Sequence, residues 1–320
     1  MTLGSSGAHT PLGPGIEFDL VRTLLERWGA QAVGIGDDAA VLDIPPGERL
    51  VVSVDTSVER VHFRRDWMSP ADIGYRAVTA ALSDLAAMAA SPRGLLVTLV
   101  IPDDARDLVG AIAEGIGDAA RQAGTTIVGG DLSRGDELAI GCTVLGSATA
   151  PARRSAVRAG DVLYVTGLLG GPAAALRALR EGRPPDVAWR QRFLRPRARL
   201  AEARWLAQHG VRAMIDVSDG LASELQHLAA ASGVSLRLDV ERIPVLRGCS
   251  LADATRGGEE YELLLASAHP LDVDAFARTF ALPLSEIGRA RPCAVPEVIA
   301  LRGTTGERVD LGAGHDHFSP

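Results

Sequence analysis

The hydrophobic pattern of the N-terminal half alternates between helical and strand periods. Apolar side chains at every fourth position, Ile16 to Trp28, predict an amphipathic helix over 16–28. Two longer helices are predicted, one over 70–90 with Ser69 as its N-cap and one over 103–124 ended by a glycine. Apolar and largely β-branched runs predict four strands, at 49–54, 94–102, 125–128 and 138–148.

The composition changes near residues 150–160, where the sequence becomes rich in arginine and small residues, and we take this segment as a domain boundary. Beyond it the alternation resumes. Helices are predicted at 171–181, 195–210 and 219–232, and strands at 162–167, 213–218, 234–240, 261–267 and 284–288. We therefore predict an α/β (α+β) protein: a flexible arm at 1–15, an N-terminal domain at 16–150 with a mixed sheet and helices, and a C-terminal α/β domain at 151–320.

Composition and charge exclude several classes of protein. The net charge of −7 argues against nucleic acid as a partner, and no apolar run reaches the roughly 18 residues that span a bilayer. Because the start also lacks a signal-peptide pattern, we expect a cytoplasmic protein with no membrane partner. The sequence contains neither Lys nor Asn, so all 33 basic residues are Arg. If the protein handles phosphates, metal ions and arginines must supply the positive charge.

The stretch VGIGDDAAVL (33–42) has the glycine spacing of a dinucleotide-binding turn, but its context differs. A helix rather than a strand is predicted before the glycines, and Asp37 and Asp38 occupy the place where a phosphate would sit. Two carboxylates repel a phosphate unless a cation stands between them. We interpret Asp37 and Asp38 as cation ligands.

Further aspartates follow apolar strands or glycine turns: Asp55, Asp131, Asp216 and Asp219. Asp84 lies on the packing face of the 70–90 helix, where a carboxylate needs a cationic partner. Ligands of α/β folds bind beyond strand ends, so these carboxylates can converge on one cleft. Oxygen ligands without His or Cys favour Mg²⁺, which is normally shared with substrate phosphates. Three alternatives stay open: a salt bridge for Asp84, a helix N-cap for Asp219, and a half-buried strand-end histidine for His62.

Eight segments, in order, resemble the thiamine-monophosphate kinase family, whose superfamily also contains aminoimidazole ribonucleotide synthetase and selenophosphate synthetase. They are GIGDDAAV, VSVDTSVERVHF, LSDLAAMAA, IVGGD, RRSAVRAGDVLYVTG, MIDVSDGL, GGEEYELL and HDHF. The resemblance implies a kinase that transfers the γ-phosphoryl group of ATP to thiamine monophosphate. It also implies several Mg²⁺ ions and a homodimer in which two N-terminal sheets join.

The resemblance assigns roles to individual residues. The Mg²⁺ ligands it implies are Asp38, Asp55, Asp84, Asp131 and Asp216, with Ser53 and the backbone at Val54 as further ligands and Asp219 on an additional ion. The ATP contacts it implies are Gly130, Asp131, Arg154 and Ser218. The residues it places at thiamine phosphate are His62, Glu259 and His315.

Three positions depart from the family pattern. Glu260 stands where the family usually has Asp, His315 where it has an aromatic residue, and Ala89 where it has Gly. None of them is a metal aspartate, so the reaction type is expected to be unchanged. Alternatives are another ATP-dependent synthetase of the superfamily, a non-catalytic nucleotide sensor and a phosphohydrolase. The first cysteine, Cys142, lies on a predicted strand, which argues against a selenophosphate synthetase.

Overall fold

A computed structural model describes residues 9, 12, 14–303 and 305–315. Most of the arm predicted at 1–15 lies outside the described residues, as do the last three residues of the HDHF motif. The chain divides into two compact units, one of Met1–Leu85 with Ala90–Thr149 and the other of Ala86–Ala89 with Ala150–Pro320.

The first unit is built on a mixed four-stranded sheet. Its helices are α1 (Ile16–Trp28), α2 (Pro70–Ala87) and α3 (Val109–Ala123), and its strands are β1 (Arg49–Val58), β2 (Ser91–Ile101), β3 (Ile127–Arg134) and β4 (Ala139–Ala148). The strand order is β1-β4-β2-β3. β4 pairs antiparallel with both β1 and β2, whereas β2 and β3 are parallel.

Local signals set both ends of α1, the start of α2 and the end of α3 as predicted. Two predicted bounds are wrong: α2 ends at Ala87 rather than at 90, and α3 begins at Val109 rather than at 103, after a 3₁₀ segment at Asp103–Leu108. α1 has the predicted bounds. The Ser69 hydroxyl accepts a hydrogen bond from the Asp72 N–H at 3.2 Å, which satisfies a free donor of the first turn of α2. Gly124 ends α3 in the left-handed conformation, with φ 66°.

Two strands run further than predicted, which changes the place of two candidate ligands. β1 continues to Val58 because its pairing with β4 extends that far, so Asp55 lies inside the strand, opposite Cys142. β3 likewise continues to Arg134, and Asp131 lies inside it, opposite Thr98 of β2. The prediction that these aspartates follow their strands is wrong, because a polar residue does not end a strand whose neighbour continues to pair.

The second unit is a six-stranded sheet with helices. Its strands are β5 (Val162–Thr166), β6 (Ala213–Asp216), β7 (Ser235–Asp239), β8 (Leu263–Ser267), β9 (Leu284–Arg291) and β10 (Val298–Leu301). Its helices are α4 (Gly171–Arg180), α5 (Val187–Leu194), α6 (Leu200–Gln208), α7 (Leu221–Ser232), α8 (Leu251–Arg256) and α9 (Val273–Phe280). The strand order is β10-β7-β9-β5-β8-β6, and only the β10 and β7 pair is parallel.

The core of this unit forms where α7 covers the sheet. Leu221, Leu225 and Leu228 of α7 are fully buried together with Leu163, Ile215 and other apolar strand residues. The two-sheet α/β architecture confirms the predicted fold class. No helix among the described residues combines the length and apolar character that a membrane span requires.

Candidate active site

Two predicted metal ligands of the first unit touch directly. Ser53 lies on β1 and Asp84 on α2, and the Ser53 hydroxyl donates a hydrogen bond of 2.5 Å to the Asp84 carboxylate. Both neighbours of Asp84 in sequence, Ser83 and Leu85, are fully buried, while Asp84 itself keeps partial access to solvent. The helical periodicity therefore placed Asp84 correctly, on the helix face turned toward the sheet.

Asp55 shares the face of β1 that carries Ser53. Side chains at 51, 53, 55 and 57 are half-buried, whereas those at 50, 52 and 54 are exposed, as the alternation of a strand requires. Burial, and secondarily the Asp55 carboxylate, raises the pKa of the Cys142 thiol on β4, which places Asp55 beside the buried side of the sheet. Val54 points to the opposite face, so only its backbone could serve a metal on this side.

Asp131 does not lie beside Ser53, Asp55 and Asp84 within the first unit. Two strands, β4 and β2, lie between β1 and β3. At about 4.8 Å per strand, Asp55 and Asp131 are roughly 14 Å apart. Gly130 beside Asp131 has a structural reason to be glycine, because a Cβ there would lie 1.9 Å from the carbonyl oxygen of Val97.

Asp37 and Asp38 lie on an exposed loop that begins beside the start of β3. The Val33 N–H donates to the Ile127 carbonyl at 2.9 Å, and Gly34 and Gly36 then turn the chain with φ of 63° and 117°. The segment before the glycines is helical, as predicted, which removes the context that a dinucleotide fingerprint needs.

His62 lies in the turn that follows β1. Its Nδ1 accepts a hydrogen bond of 3.1 Å from the Val58 N–H, and its side chain is half-buried. The second ring nitrogen is thereby left as the one that can carry a proton, which suits contact with an anionic ligand.

The first unit therefore assembles a small oxygen-donor group of Ser53, Asp55 and Asp84. Among the described residues, no three His, Cys, Asp or Glu side chains stand close enough together to hold a metal ion by themselves. The donors present are a hydroxyl and two carboxylates, which are the ligand chemistry that Mg²⁺ accepts while keeping several waters and substrate oxygens. This donor set fits Mg²⁺.

In the second unit, two loops meet at the end of β6. Asp216, the last residue of β6, is 2% exposed. The Ser218 carbonyl accepts a hydrogen bond of 2.6 Å from the Glu259 N–H, and a Cβ at Gly258 would lie 2.3 Å from the same oxygen. The glycine of the GGEE motif thus lets the backbone of Glu259 close onto Ser218.

The backbone before β8 is strained. Glu259 and Tyr261 adopt left-handed conformations with φ of 63° and 53°. Such conformations cost about 1–3 kcal/mol each for residues other than glycine and concentrate at functional sites. Hydrogen bonds to Ser218 and Val217 hold this loop in place.

The C-terminal segment joins the same place. The His315 N–H donates to the Asp219 carbonyl at 2.8 Å, and the Gly314 N–H donates to the Ser223 hydroxyl at 3.1 Å. The structure therefore brings together His315, Glu259, Ser218 and Asp219. The N-cap alternative for Asp219 is wrong, because Gly220 is the N-cap of α7 and no side chain caps the helix there.

Glu224 belongs to this cluster and was not predicted. Its carboxylate accepts hydrogen bonds from the Asp219 N–H at 3.1 Å and from the Ser218 hydroxyl at 3.4 Å. Burial raises the pKa of Glu224 to about 7, against the hydrogen bond from Asp219 and the charge of Arg154, which lower it. Arg154, a predicted ATP contact, thus lies near the loop. The signal that could have found Glu224 is the one used for Asp84: a carboxylate on the apolar face of a helix.

Glu260, the family departure, is buried behind the loop. Its carboxylate accepts a hydrogen bond from the Gly170 N–H at the start of α4, while its Oε2 has no hydrogen-bond partner among the residues that the structure describes. Burial raises the pKa of Glu260 to about 8, although Gly170 and the charge of Arg192 favour the ionised form. The neighbouring Glu262 differs, because Arg199 donates to both of its oxygens at 2.8 and 2.5 Å.

Comparison with known proteins covers both units. Sequence models of the AIR synthase related protein match residues 36–148 with their N-terminal domain and residues 158–299 with their C-terminal domain. Thiamine-monophosphate kinase of Bacillus subtilis strain 168 is 33% identical over 94% of this chain and 99% of its own length. A crystal structure of thiamine-monophosphate kinase from Stenotrophomonas maltophilia K279a has a TM-score of 0.79 at 32% identity, covering 90% of this chain and 97% of that one. AaThiL complexed with AMPPCP and TMP has a TM-score of 0.75 at 29% identity, covering 94% and 96%.

Proposed function

This chain belongs to the AIR synthase related family and, within it, to the thiamine-monophosphate kinases, and we propose that it transfers the γ-phosphoryl group of ATP directly and in line to thiamine monophosphate, with Mg²⁺ as its metal. The products are thiamine diphosphate and ADP. The observation that carries the activity is that relatives with this one name match both domains from end to end. That match does not favour the synthetase, sensor or hydrolase alternatives.

The chemistry requires no general base on the protein. The nucleophile is a phosphate oxygen of thiamine monophosphate, and a phosphate monoester with a second pKa near 6 is largely ionised at neutral pH. The obstacle is repulsion between two anions, so the work of the protein is to neutralise and align them. We assign no catalytic side chain and give His62 an orienting role.

The metal would be held first by Ser53, Asp55 and Asp84, the three donors that the first unit brings together. Bound Mg²⁺ supplies charge neutralisation for the phosphates that approach each other. Asp38, the Val54 backbone, Asp131, Asp216 and Asp219 are proposed as further ligands on the resemblance, and Asp37 on its place beside Asp38 after the two glycines.

The loop cluster of the second unit offers the remaining contacts. Ser218, with Arg154 nearby, is proposed for ATP together with Gly130 and Asp131 of the first unit. Glu259 and His315 are proposed for the thiamine substrate. This proposal is supported by two backbone hydrogen bonds, which hold Glu259 against Ser218 and His315 against Asp219. Both residues are therefore positioned before a ligand binds.

We also propose that two copies of the chain join through the outer face of β1. Leu50, Val52 and Val54 on this face are 53%, 53% and 67% exposed. Full burial of an exposed side chain of this kind is worth about 1.5–3 kcal/mol, and a second copy of the same face would supply roughly half of that for each, because they are already partly buried. Val52→Asp should then convert a dimer to a monomer in sedimentation velocity, and a wild-type monomer would contradict the proposal.

The activity is tested by incubating the protein with ATP, Mg²⁺ and thiamine monophosphate and separating the products by chromatography. We expect thiamine diphosphate and ADP in equal amounts. A parallel incubation without the thiamine compound should give little ADP. Equal ADP in both incubations would instead identify a phosphohydrolase.

A further inference from the structure

A groove rich in arginine lies on the second unit, at the sheet edge formed by β7, β9 and β10. Its volume is about 300 Å³. The arginines that line it are Arg237, Arg242, Arg289, Arg291 and Arg302. The strand order places β5 between this edge and β8, and β6 beyond β8, so the groove is separate from the Ser218 and Glu259 loops.

Two of these arginines face each other directly. Arg237 on β7 pairs with Arg289 on β9 in the antiparallel register, and Arg291 lies two residues further along β9. Like charges directly opposite each other on neighbouring strands are destabilising. A sheet that keeps three guanidinium groups side by side therefore gains if an anion binds between them.

The protein itself only partly neutralises the groove. Arg242 and Arg289 share Glu286, at 3.3 and 3.6 Å, and Arg242 also approaches Asp239 at 3.6 Å. These are the two carboxylates in the lining, and Arg302 approaches a third, Glu307, at 3.6 Å. Five arginines therefore face three carboxylates, which leaves a formal excess of two positive charges on a chain whose net charge is −7. Within the described part of the chain, Arg237 and Arg291 have no hydrogen-bond or ion-pair partner.

Glycines shape the floor of the groove. A Cβ at Gly288 would lie 2.2 Å from the Arg237 carbonyl oxygen, and one at Gly303 would lie 2.8 Å from the Asp239 carboxylate. Both glycines line the groove. They allow the backbones of β9 and of the segment after β10 to approach β7 closely, so that the long arginine side chains surround a concave space.

We propose that this groove is a second anion site of the protein and binds a small molecule that carries a diphosphate group. Guanidinium groups bind phosphate oxygens in pairs, and several of them together match a group with three or more negative charges better than a monoanion. Arg237 and Arg291 are the main ligands, since they lack an internal partner. The site lies outside the kinase machinery and does not depend on the proposed function.

The probe for the test is inorganic pyrophosphate, measured by isothermal titration calorimetry at low salt without divalent metal. The variants are Arg237→Ala/Arg291→Ala and, keeping a polar but uncharged side chain, Arg237→Gln/Arg291→Gln. Arg278→Ala is the matched control, because Arg278 is an exposed arginine of the same unit on α9, away from the groove. Kinase activity is measured for all of them.

We expect the wild type and Arg278→Ala to bind pyrophosphate equally, and both double variants to lose one site per chain or to bind there at least about tenfold more weakly. Their kinase activity should be unchanged. Equal stoichiometry and affinity in the double variants would show that pyrophosphate binds elsewhere and would overturn the proposal. Absence of binding to the wild type at millimolar pyrophosphate would overturn it as well.

Discussion

Replacing Glu260 by Gln should stabilise the protein at alkaline pH and leave it nearly unchanged at acid pH. Glu260 is 5% exposed, and within the described part of the chain only one of its two carboxylate oxygens has a hydrogen-bond partner. Glutamine keeps the shape and the acceptor for the Gly170 N–H but carries no charge. The variant therefore removes the cost of a buried charge without leaving a cavity.

The size of the effect follows from the pKa of Glu260, which burial raises from 4.5 to about 8. Between these values the folded protein retains a proton that the unfolded chain releases, so the free energy of unfolding falls as the pH rises. The shift from 4.5 to about 8, at about 1.4 kcal/mol per pKa unit, gives a total of roughly 5 kcal/mol above pH 8. Glu260→Gln lacks this loss. Its advantage over the wild type should grow from near zero at about pH 4 to roughly 5 kcal/mol at about pH 9.

The assay is urea unfolding followed by tryptophan fluorescence at several pH values. Glu241→Gln is a matched control, because Glu241 is an exposed glutamate of the same unit. We expect the midpoint of the control to follow the wild type at every pH. The reasoning is refuted if the difference between Glu260→Gln and the wild type is the same at acid and alkaline pH.

Three further predictions concern single side chains. Asp84→Asn should lower kcat by about a hundredfold or more with little change in the urea midpoint, and near-normal turnover at saturating Mg²⁺ would contradict it. Glu224→Ala removes the acceptor for the Asp219 N–H and should lower kcat/KM by about tenfold, whereas Glu224→Gln should retain most of the wild-type value. Equal losses for the two variants in steady-state assays would argue against a positioning role. Ala89→Gly and Ala281→Gly should each raise the free energy of unfolding by about 1 kcal/mol, because both alanines have a left-handed backbone, with φ of 53° and 50°. A lower urea midpoint in either variant would contradict this explanation.

The sequence was informative where a signal is local. The four-residue period defined α1, and the Ser69 cap and Gly124 defined helix ends. The helix stripe that marked Asp84 placed it on the packing face of α2, because a helix face is fixed by the sequence itself, but its contact with Ser53 was not predicted. Glu224 likewise lies on the buried, apolar face of α7, so the sequence could have predicted it as a candidate site residue.

Other features depended on tertiary pairing. The separation of Asp55 from Asp131 follows from β4 and β2 lying between their strands, and strand order is a long-range property that no local pattern encodes. The short elements α5, α8, α9 and β10, of 8, 6, 8 and 4 residues, went unpredicted, because about two helical turns or a strand of four residues show too little periodicity. The departure at Ala89 was visible in the sequence, but its left-handed backbone was not.

The stereochemistry of the transferred phosphorus tests the central claim most directly. ATP made chiral at its γ-phosphorus with oxygen isotopes would be turned over with thiamine monophosphate, and the terminal phosphorus of thiamine diphosphate analysed. Direct in-line transfer, with positioned carboxylates and no protein nucleophile, predicts inversion of configuration. Retention would reveal a phosphorylated protein intermediate, and label that appears only in inorganic phosphate would contradict a kinase altogether.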